Sequence, residues 1–292
     1  MSTAPRIFVM VATVGRAEVT LRTVDRLALQ TRKPDGIVVV GAQASDIAGV
    51  EQARGNPEIH LGERGLCNQR NRGLDIIGDR ADVVIFFDDD FVPAEDFIEQ
   101  TAKLFAERPN LVGATGRLIA DGVHGVGLTV DEGVALIEAD THPPSFETVS
   151  QALYGCNMII RLAAAQGLRF DPALPLYGWQ EDIDFTFQLG RRGDMVKSSL
   201  LRGVHLGAKG GRSPGARLGY SQIANPIYLL RKRTIPPALA RRIMWRNLAA
   251  NLVRSLKPES HIDRRGRAKG NLLAIKDLAL GRLDPRRILE MP

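Results

Sequence analysis

Short apolar runs alternate with helical stretches along the first 115 residues of the chain. The runs are rich in Ile, Val and Phe and lack polar alternation, which is typical of strands buried on both faces. The predicted strands are residues 6–12, 37–40, 59–61, 83–87 and 111–115, and the predicted helices are residues 18–30, 67–76 and 94–106. This alternation predicts an α/β fold with a mostly parallel, Rossmann-like central sheet that is flanked by helices.

The pattern changes after residue 115. Further strands are predicted at 127–130, 134–138 and 154–161, and a helix is predicted at 181–189. Residues 207–219 contain five glycines and one proline, which predicts a mobile loop. Helical stretches follow at 221–233, 238–256 and 265–281. We therefore expect one domain over residues 1–235, with halves at 1–115 and 116–235, and a helical C-terminal extension over 236–292.

Charge separates the extension from the rest of the chain. Residues 231–292 contain 16 Lys and Arg against 5 Asp and Glu, a balance of +11, whereas the whole chain carries 39 − 33 = +6. Residues 1–230 therefore carry −5. The two cysteines lack metal-ligand spacing, and neither a signal-peptide pattern nor a membrane-spanning apolar run is present. A cytoplasmic protein is the expectation.

An acidic motif, FFDDDFVP (86–93), follows the fourth predicted strand. Open α/β sheets bind ligands at the carboxyl ends of their strands, so Asp88, Asp89 and Asp90 would lie at that edge. Carboxylates so close together are favourable when a cation compensates their charge, and oxygen ligands suit Mg²⁺ or Mn²⁺. The alternative is an acidic loop that complements the dipole of the next helix.

Two weaker candidates lie further along the chain. GWQEDIDF (178–185) places Glu181 and Asp182 at the start of a helix beside Trp179, where a carboxylate would serve as a general base or simply complement the helix dipole. His205 precedes the glycine-rich segment and is either a metal ligand or a structural histidine.

Taken together and in order, these motifs resemble the inverting family 2 glycosyltransferases of the GT-A fold, in particular bacterial members. The similarity extends over about residues 6–235. It rests on the opening strand, turn and helix (VATVGRAEVTLRTVDRLALQTRKPDGIVVV, 11–40), GLCNQRNRGLD (65–75), FFDDDFVP (86–93), YGCNMIIR (154–161), GWQEDIDFTFQL (178–189) and His205.

The resemblance implies a role for each matching residue. On the donor side, Thr13 and Arg16 would border the nucleotide, Arg70 would lie near the nucleotide or the phosphates, and Arg212 would reach the diphosphate. Asp88 and Asp89 would face the ribose and sugar, and Asp90 and His205 would bind the metal. Asp182 would be the general base, and Trp179 and Glu181 would shape the acceptor pocket. The reaction implied is transfer from a UDP-, GDP- or dTDP-sugar to a saccharide or lipid-linked saccharide hydroxyl. It would depend on Mg²⁺ or Mn²⁺ and serve polysaccharide or glycolipid assembly.

The chain departs from the family pattern in two places. Val14 and Gly15 replace the usual Tyr-Asn of the first turn, and Gly41-Ala42-Gln43 replaces the aspartate that often follows the second strand to read the base. Base recognition is therefore expected to use backbone groups or other side chains, such as Gln43 or Asp46.

Two questions stay open on the sequence alone. The segment 236–257 is either an amphipathic helix packed on the catalytic domain or an interfacial helix on an anionic membrane, at the inner face of the cytoplasmic membrane. A nucleic-acid partner is not expected, because no DNA- or RNA-binding module accompanies the basic residues. The rival functions are a sugar nucleotidyltransferase, which would need a glycine-rich basic loop after the first strand, and a non-catalytic nucleotide-sugar-binding or membrane-associated protein.

Overall fold

A computed structural model describes residues 4–208, 214–259 and 262–291, apart from the side chain of His124. The strands are β1 (Ile7–Thr13), β2 (Gly36–Gly41), β3 (Glu58–Leu61), β4 (Val83–Asp88), β5 (Phe91–Pro93), β6 (Leu111–Asp121), β7 (Glu147–Val149), β8 (Asn157–Arg161) and β9 (Asp194–His205). The helices are α1 (Ala17–Leu27), α2 (Leu66–Ile77), α3 (Phe97–Glu107), α4 (Val130–Ala139), α5 (Glu181–Leu189), α6 (Gly215–Lys232), α7 (Pro237–Arg254) and α8 (Arg264–Ala279).

The chain divides into two compact units. The first unit comprises Met1–Arg64, Asn68–Arg169 and Gln188–Gly211, and the second comprises Gly65–Cys67, Phe170–Phe187 and Arg212–Pro292. The predicted division at residue 235 stays a prediction.

The described strands form one sheet in the first unit, in the order β3-β2-β1-β4-β8-β6-β9-β5, with β7 beside β9. Strands β3, β2, β1 and β4 are parallel, as predicted. Beyond β4 the pairing is mixed: β6 and β9 are parallel, whereas β8, β5 and β7 pair antiparallel with their neighbours. The α/β fold class is confirmed.

Aromatic packing fixes the end of β4. The ring of Phe87 stacks on that of Phe91 with 4.9 Å between centroids, and it meets Phe97 edge-on at 5.1 Å. All three rings are buried in the main core of the first unit. Because Phe87 and Phe91 flank the three aspartates, burial of these rings forces the acidic turn to the carboxyl edge of the sheet.

Two strand predictions were wrong. Residues 127–130 form no strand, because Thr129 caps helix α4 and Val130 is its first residue. Residues 134–138 belong to helix α4, which starts with a capping box: the Thr129 hydroxyl accepts from the backbone N–H of Glu132, and the Glu132 carboxylate accepts from that of Thr129. Val130, Val134 and Ile137 then follow at helical spacing and pack in one apolar cluster. The Thr-x-x-Glu signature was present in the sequence and outweighs the short run of β-branched residues.

The loop prediction for residues 207–219 was also wrong in part, since α6 begins at Gly215. Residues 209–213 lie outside the described residues. In the second unit α6 and α8 approach at Gly219 and Gly270, where an added Cβ would come within 2.1 Å and 2.0 Å of backbone oxygens of the facing helix. Glycine is therefore required at these two positions by close helix packing.

Both cysteines are buried free thiols. Cys156 belongs to the first unit and Cys67 to the second. Among the described residues, no helix combines the length and the apolar character needed to cross a bilayer.

Candidate active site

An acidic cluster forms where β4 ends. One carboxylate oxygen each of Asp88 and Asp90 and one ring nitrogen of His205 lie within 4.8 Å of one another. The Nε2 atom of His205 is 3.4 Å from Asp90 Oδ1 and 3.8 Å from Asp88 Oδ2. Asp90 and His205 are almost completely buried. The sequence motif DDD and the distant histidine are therefore brought into one site.

Strand pairing explains how His205 reaches the aspartates. His205 is the last residue of β9 and is paired with Phe91 of β5 on one side and with Asp121 of β6 on the other. The long β6 strand thereby adds a carboxylate that the sequence analysis did not single out. Asp121 Oδ1 lies 3.0 Å from His205 Nδ1, and the Tyr154 hydroxyl donates to Asp121 Oδ2 at 3.3 Å.

The charges of the cluster shift the protonation of its members. Burial disfavours the charged form of His205, but its interactions with Asp121, Asp90 and Asp88 outweigh this effect and raise the pKa of His205 to about 10. Burial acts to raise the pKa of Asp90, but His205 and Arg16 outweigh it and lower that pKa to about 2. Asp90 is accordingly an anion, stabilised by Arg16 and His205.

Asp89 occupies a different position from its two neighbours. Its carboxylate is fully buried and pairs with the Arg16 guanidinium at 2.7 Å, while the Thr23 hydroxyl donates to its carbonyl at 2.8 Å. Burial, as the largest effect, raises the pKa of Asp89 to about 7. Arg16 also lies 3.2 Å from Asp90, whose Oδ2 accepts from the backbone N–H of Ala208 at 2.7 Å. Asp89 therefore anchors Arg16 rather than joining Asp88 and Asp90.

The turn after β1 is tied to the turn after β2. The Asp46 carboxylate is buried and accepts from the backbone N–H groups of Gly15 at 2.8 Å, Gln43 at 3.0 Å and Ala42 at 3.1 Å. These contacts occupy Asp46 as a loop anchor, and the Gln43 side-chain amide also donates to Asp46 Oδ1 at 3.4 Å. Base recognition by Gln43 or by backbone groups stays a prediction. Thr13 is buried at the end of β1, with its hydroxyl 2.9 Å from that of Thr20.

Arg70 is buried and contacts Asp88 of the acidic cluster. One guanidinium nitrogen donates to Asp88 Oδ1 at 3.1 Å and to the carbonyl of Gly155 at 2.9 Å. Arg70 thus holds the Asp88 carboxylate in place, a contact that the sequence did not predict. Arg212, the other phosphate candidate, lies outside the described residues.

The second acidic motif belongs to the second unit, where Glu181 begins α5. The turn before it is strained, because Leu176 and Gln180 have φ values of +57° and +75° in the left-handed region that favours glycine. Asp182 is half-buried, and its Oδ1 accepts from the backbone N–H of Ile183 at 2.8 Å. The Trp179 carbonyl accepts from the Asn225 amide at 2.6 Å, so α6 holds this turn.

An ion-pair network fastens α5 to α6. The Lys232 ammonium lies 2.6 Å from Asp184 and 2.7 Å from Asp171, and the Tyr228 hydroxyl donates to Asp171 at 2.8 Å. Burial opposes the charge on Lys232, but the two carboxylates outweigh it and raise the pKa of Lys232. These contacts tie the segment that carries Glu181 and Asp182 to α6 and offset the backbone strain of its turn.

The chemistry of the acidic cluster fits a divalent cation. Asp90 Oδ1 is buried and makes no hydrogen bond to any described group, which leaves an acceptor atom directed at the cluster. Two carboxylates and one imidazole form a donor set suited to Mn²⁺, and to Mg²⁺ when substrate oxygens and water complete the shell. Asp121 would orient the imidazole from behind, as a carboxylate behind a ligating histidine commonly does.

Comparison with solved structures shows that this fold is a glycosyltransferase fold of the GT-A type. A mannosyltransferase, PcManGT from Pyrobaculum calidifontis, in complex with GDP-Man and Mn²⁺ has a TM-score of 0.58 and 15% identity, covering 99% of this chain and 86% of that one. GalNAc-T7 with UDP, GalNAc and Mn²⁺ has a TM-score of 0.59 and 14% identity, covering 99% and 57%. TarS residues 1–349 from S. aureus has a TM-score of 0.57 and 15% identity, covering 97% and 82%.

Sequence comparison then fixes the family. The model of glycosyl transferase family 2 matches residues 8–171, and the chain belongs to that family. No curated protein matches the chain. Membership favours glycosyl transfer over the sugar nucleotidyltransferase alternative.

Proposed function

We propose that the protein transfers a sugar from a nucleoside diphosphate donor to a hydroxyl acceptor with inversion at the anomeric carbon. The observation that carries this proposal is the convergence of Asp88, Asp90 and His205 within 4.8 Å at the carboxyl edge of the sheet. We assign the metal to these three residues, which makes Asp88-x-Asp90 the D-x-D element. Mg²⁺ or Mn²⁺ bound there would neutralise the charge that develops on the diphosphate leaving group.

The protein's own residues supply the remaining steps. The acceptor oxygen bonds to the anomeric carbon as the bond from that carbon to the diphosphate oxygen breaks, and the diphosphate leaves with the electron pair. We assign removal of the acceptor proton to the Asp182 carboxylate, because a single displacement needs one base. Such a base contributes about 10²–10⁴-fold to the rate. Arg16 and Arg70 would bind the nucleoside diphosphate sugar, and Trp179 and Glu181 would line the acceptor pocket. The acceptor, a saccharide or lipid-linked saccharide in polysaccharide or glycolipid assembly, belongs to the same proposal.

The test combines donor binding with turnover. Thermal stabilisation and slow donor hydrolysis are measured with UDP-, GDP- and dTDP-sugars in Mn²⁺, Mg²⁺ or EDTA. We expect one donor to stabilise the protein only with metal, and Asp90→Ala to abolish that response. Exposed Glu51, replaced by Gln, is the matched control and should behave as wild type. A response that survives both EDTA and Asp90→Ala would contradict the metal assignment.

Asp182→Asn separates catalysis from binding. The amide keeps the size of the side chain but cannot take the acceptor proton, so metal-dependent donor binding should persist while transfer falls at least a hundredfold. Unchanged transfer would remove Asp182 as the base. Loss of cellular function in this variant would also exclude a non-catalytic nucleotide-sugar-binding role.

A further inference from the structure

Helix α7 in the second unit has two apolar faces. Its inner face carries Met244 and Leu248, which pack against the cluster that contains Tyr220 and Ile223 of α6. Asn251 is fully buried on the same side and donates to Gln222 at 2.7 Å. The inner face of α7 therefore packs within the second unit. The sequence also left open a contact with a membrane, and that question concerns the outer face.

The outer face of α7 exposes large apolar side chains. Trp245 is 63% exposed and Leu252 is 42% exposed, and Ala249 lies between them at helical spacing on the same face. Val253 in the last turn of the helix is 68% exposed, and Leu256 just past its end is 84% exposed. Packing within the second unit thus leaves this apolar stripe uncovered.

Arginines flank the stripe on both sides. Arg241 lies along one edge, and Arg242 and Arg246 lie along the other; all three are exposed. Within the described part of the chain their guanidinium groups have no carboxylate partner. Residues 237–257 contain no Asp or Glu at all. The outer face is therefore apolar at its centre and uniformly positive at its edges.

The neighbouring helix α8 has the same mixture on its exposed side. Leu272 is 56% exposed between Lys269 and Lys276, which lie three residues before it and four after it. The single carboxylate of α8, Asp277, is buried and paired with Arg282 and Arg287. Its charge is therefore already compensated.

We propose that the outer face of α7 binds an anionic lipid surface. Trp245 and Leu252 enter the headgroup region, and Arg241, Arg242 and Arg246 contact lipid phosphates. A second copy of the chain is a poorer occupant, because a symmetric contact would set these unpaired arginines against each other. Nucleic acid is also poorer, because it offers no apolar layer to Trp245 and Leu252. This inference is independent of the donor, the metal and the base assigned above.

Vesicle binding of the full chain tests the proposal. We expect co-flotation with phosphatidylcholine vesicles that contain one-third phosphatidylglycerol at about 0.05 M salt, loss of binding at about 0.5 M salt, and none with phosphatidylcholine alone. Replacing Arg241, Arg242 and Arg246 by Gln should weaken binding about a hundredfold, given about 1 kcal/mol for each basic residue near such a surface. The matched control replaces exposed Lys33, Arg191 and Lys197 by Gln, removes the same charge from the first unit, and should bind as wild type.

A spectroscopic readout locates the contact. Trp179→Phe leaves Trp245 as the single tryptophan, since the chain has two. Its emission should shift to shorter wavelength with anionic vesicles and be quenched by brominated lipids. Unchanged emission, equal weakening in the control variant, or equal affinity for duplex DNA would each overturn the proposal.

Discussion

At the residue scale, Asp121 is the side chain that links His205 to the body of the sheet. It lies 3.0 Å from His205 Nδ1, so Nε2 is the ring nitrogen directed at Asp88 and Asp90. A carboxylate in this position fixes the orientation of an imidazole ligand and raises its basicity.

Asp121→Asn should weaken Mn²⁺ binding about 10–100-fold, because the neutral amide keeps the contact but not the charge. Titration of free Mn²⁺ by its EPR signal measures the affinity without requiring turnover. Asp131→Asn, a change at an exposed carboxylate, is the control. Wild-type Mn²⁺ affinity in a folded Asp121→Asn protein would show that Asp121 does not position His205.

The sequence could suggest the acidic motif but not all of its partners. Three aspartates after an apolar run are visible without a structure. His205 was a candidate from its place before the glycine-rich segment, and the resemblance to family 2 favoured its role as a metal ligand. Asp121 was missed because β6 was predicted to end at residue 115, whereas it continues to Asp121 and pairs with the end of β9. Asp121 and His205 are 84 positions apart, so no short stretch of the sequence indicates that their strands pair.

At the element scale, α6 and α8 pack backbone against backbone. A Cβ at position 270 would lie 2.0 Å from the carbonyl oxygen of Ala216 and 2.6 Å from the nitrogen of Tyr220. Gly270→Ala should lower the free energy of unfolding by about 3 kcal/mol, because neither backbone atom can move without separating the helices. Urea denaturation measures the change.

Gly125→Ala is the matched substitution, since nothing lies within 4 Å of its added Cβ and its φ is not in the left-handed region. Its effect should stay within about 0.5 kcal/mol. Equal stability of the two variants would mean that α6 and α8 are free to repack.

The contact between α5 and α6 gives a second prediction at this scale. Lys232→Met should lower the free energy of unfolding by about 2 kcal/mol, because the fully buried Asp184 loses its cation. Exposed Lys276, replaced by Met, is the control on the same measurement. If the two variants are equally stable, the network contributes nothing to holding α5.

Helices and strands were predicted well where the apolar residues follow one spacing, either a continuous run for a buried strand or every three to four residues for a helix. Strands β1, β2 and β4 are short, buried apolar runs, and α1 to α3 have apolar residues at helical spacing, so local pattern and tertiary structure agree. β3 was also predicted, but as an edge strand that contains Glu58 and His60 it has no fully buried residue. The long strand β9 was missed because Lys197, Ser198, Ser199 and Arg202 interrupt its apolar residues. β9 is buried because other strands pair with it on both sides, and this pairing exists only in the assembled sheet.

At the scale of the whole molecule, the family and the GT-A fold followed from the order of the motifs along the chain. The mixed pairing beyond β4 did not, because strand direction is decided by connections rather than by the residues of a strand. The second unit also collects segments from three parts of the sequence, a grouping that arises only from packing.

The two buried thiols allow the unfolding of each unit to be measured separately. Each unit holds one cysteine, Cys67 at 1% exposure and Cys156 at 0%, so a thiol-reactive dye can label each residue only when its surroundings open. We expect neither thiol to react in the native protein. Peptide mapping after labelling in rising urea would give an opening free energy for each unit separately. Simultaneous labelling at every urea concentration would mean that both units unfold as one cooperative body.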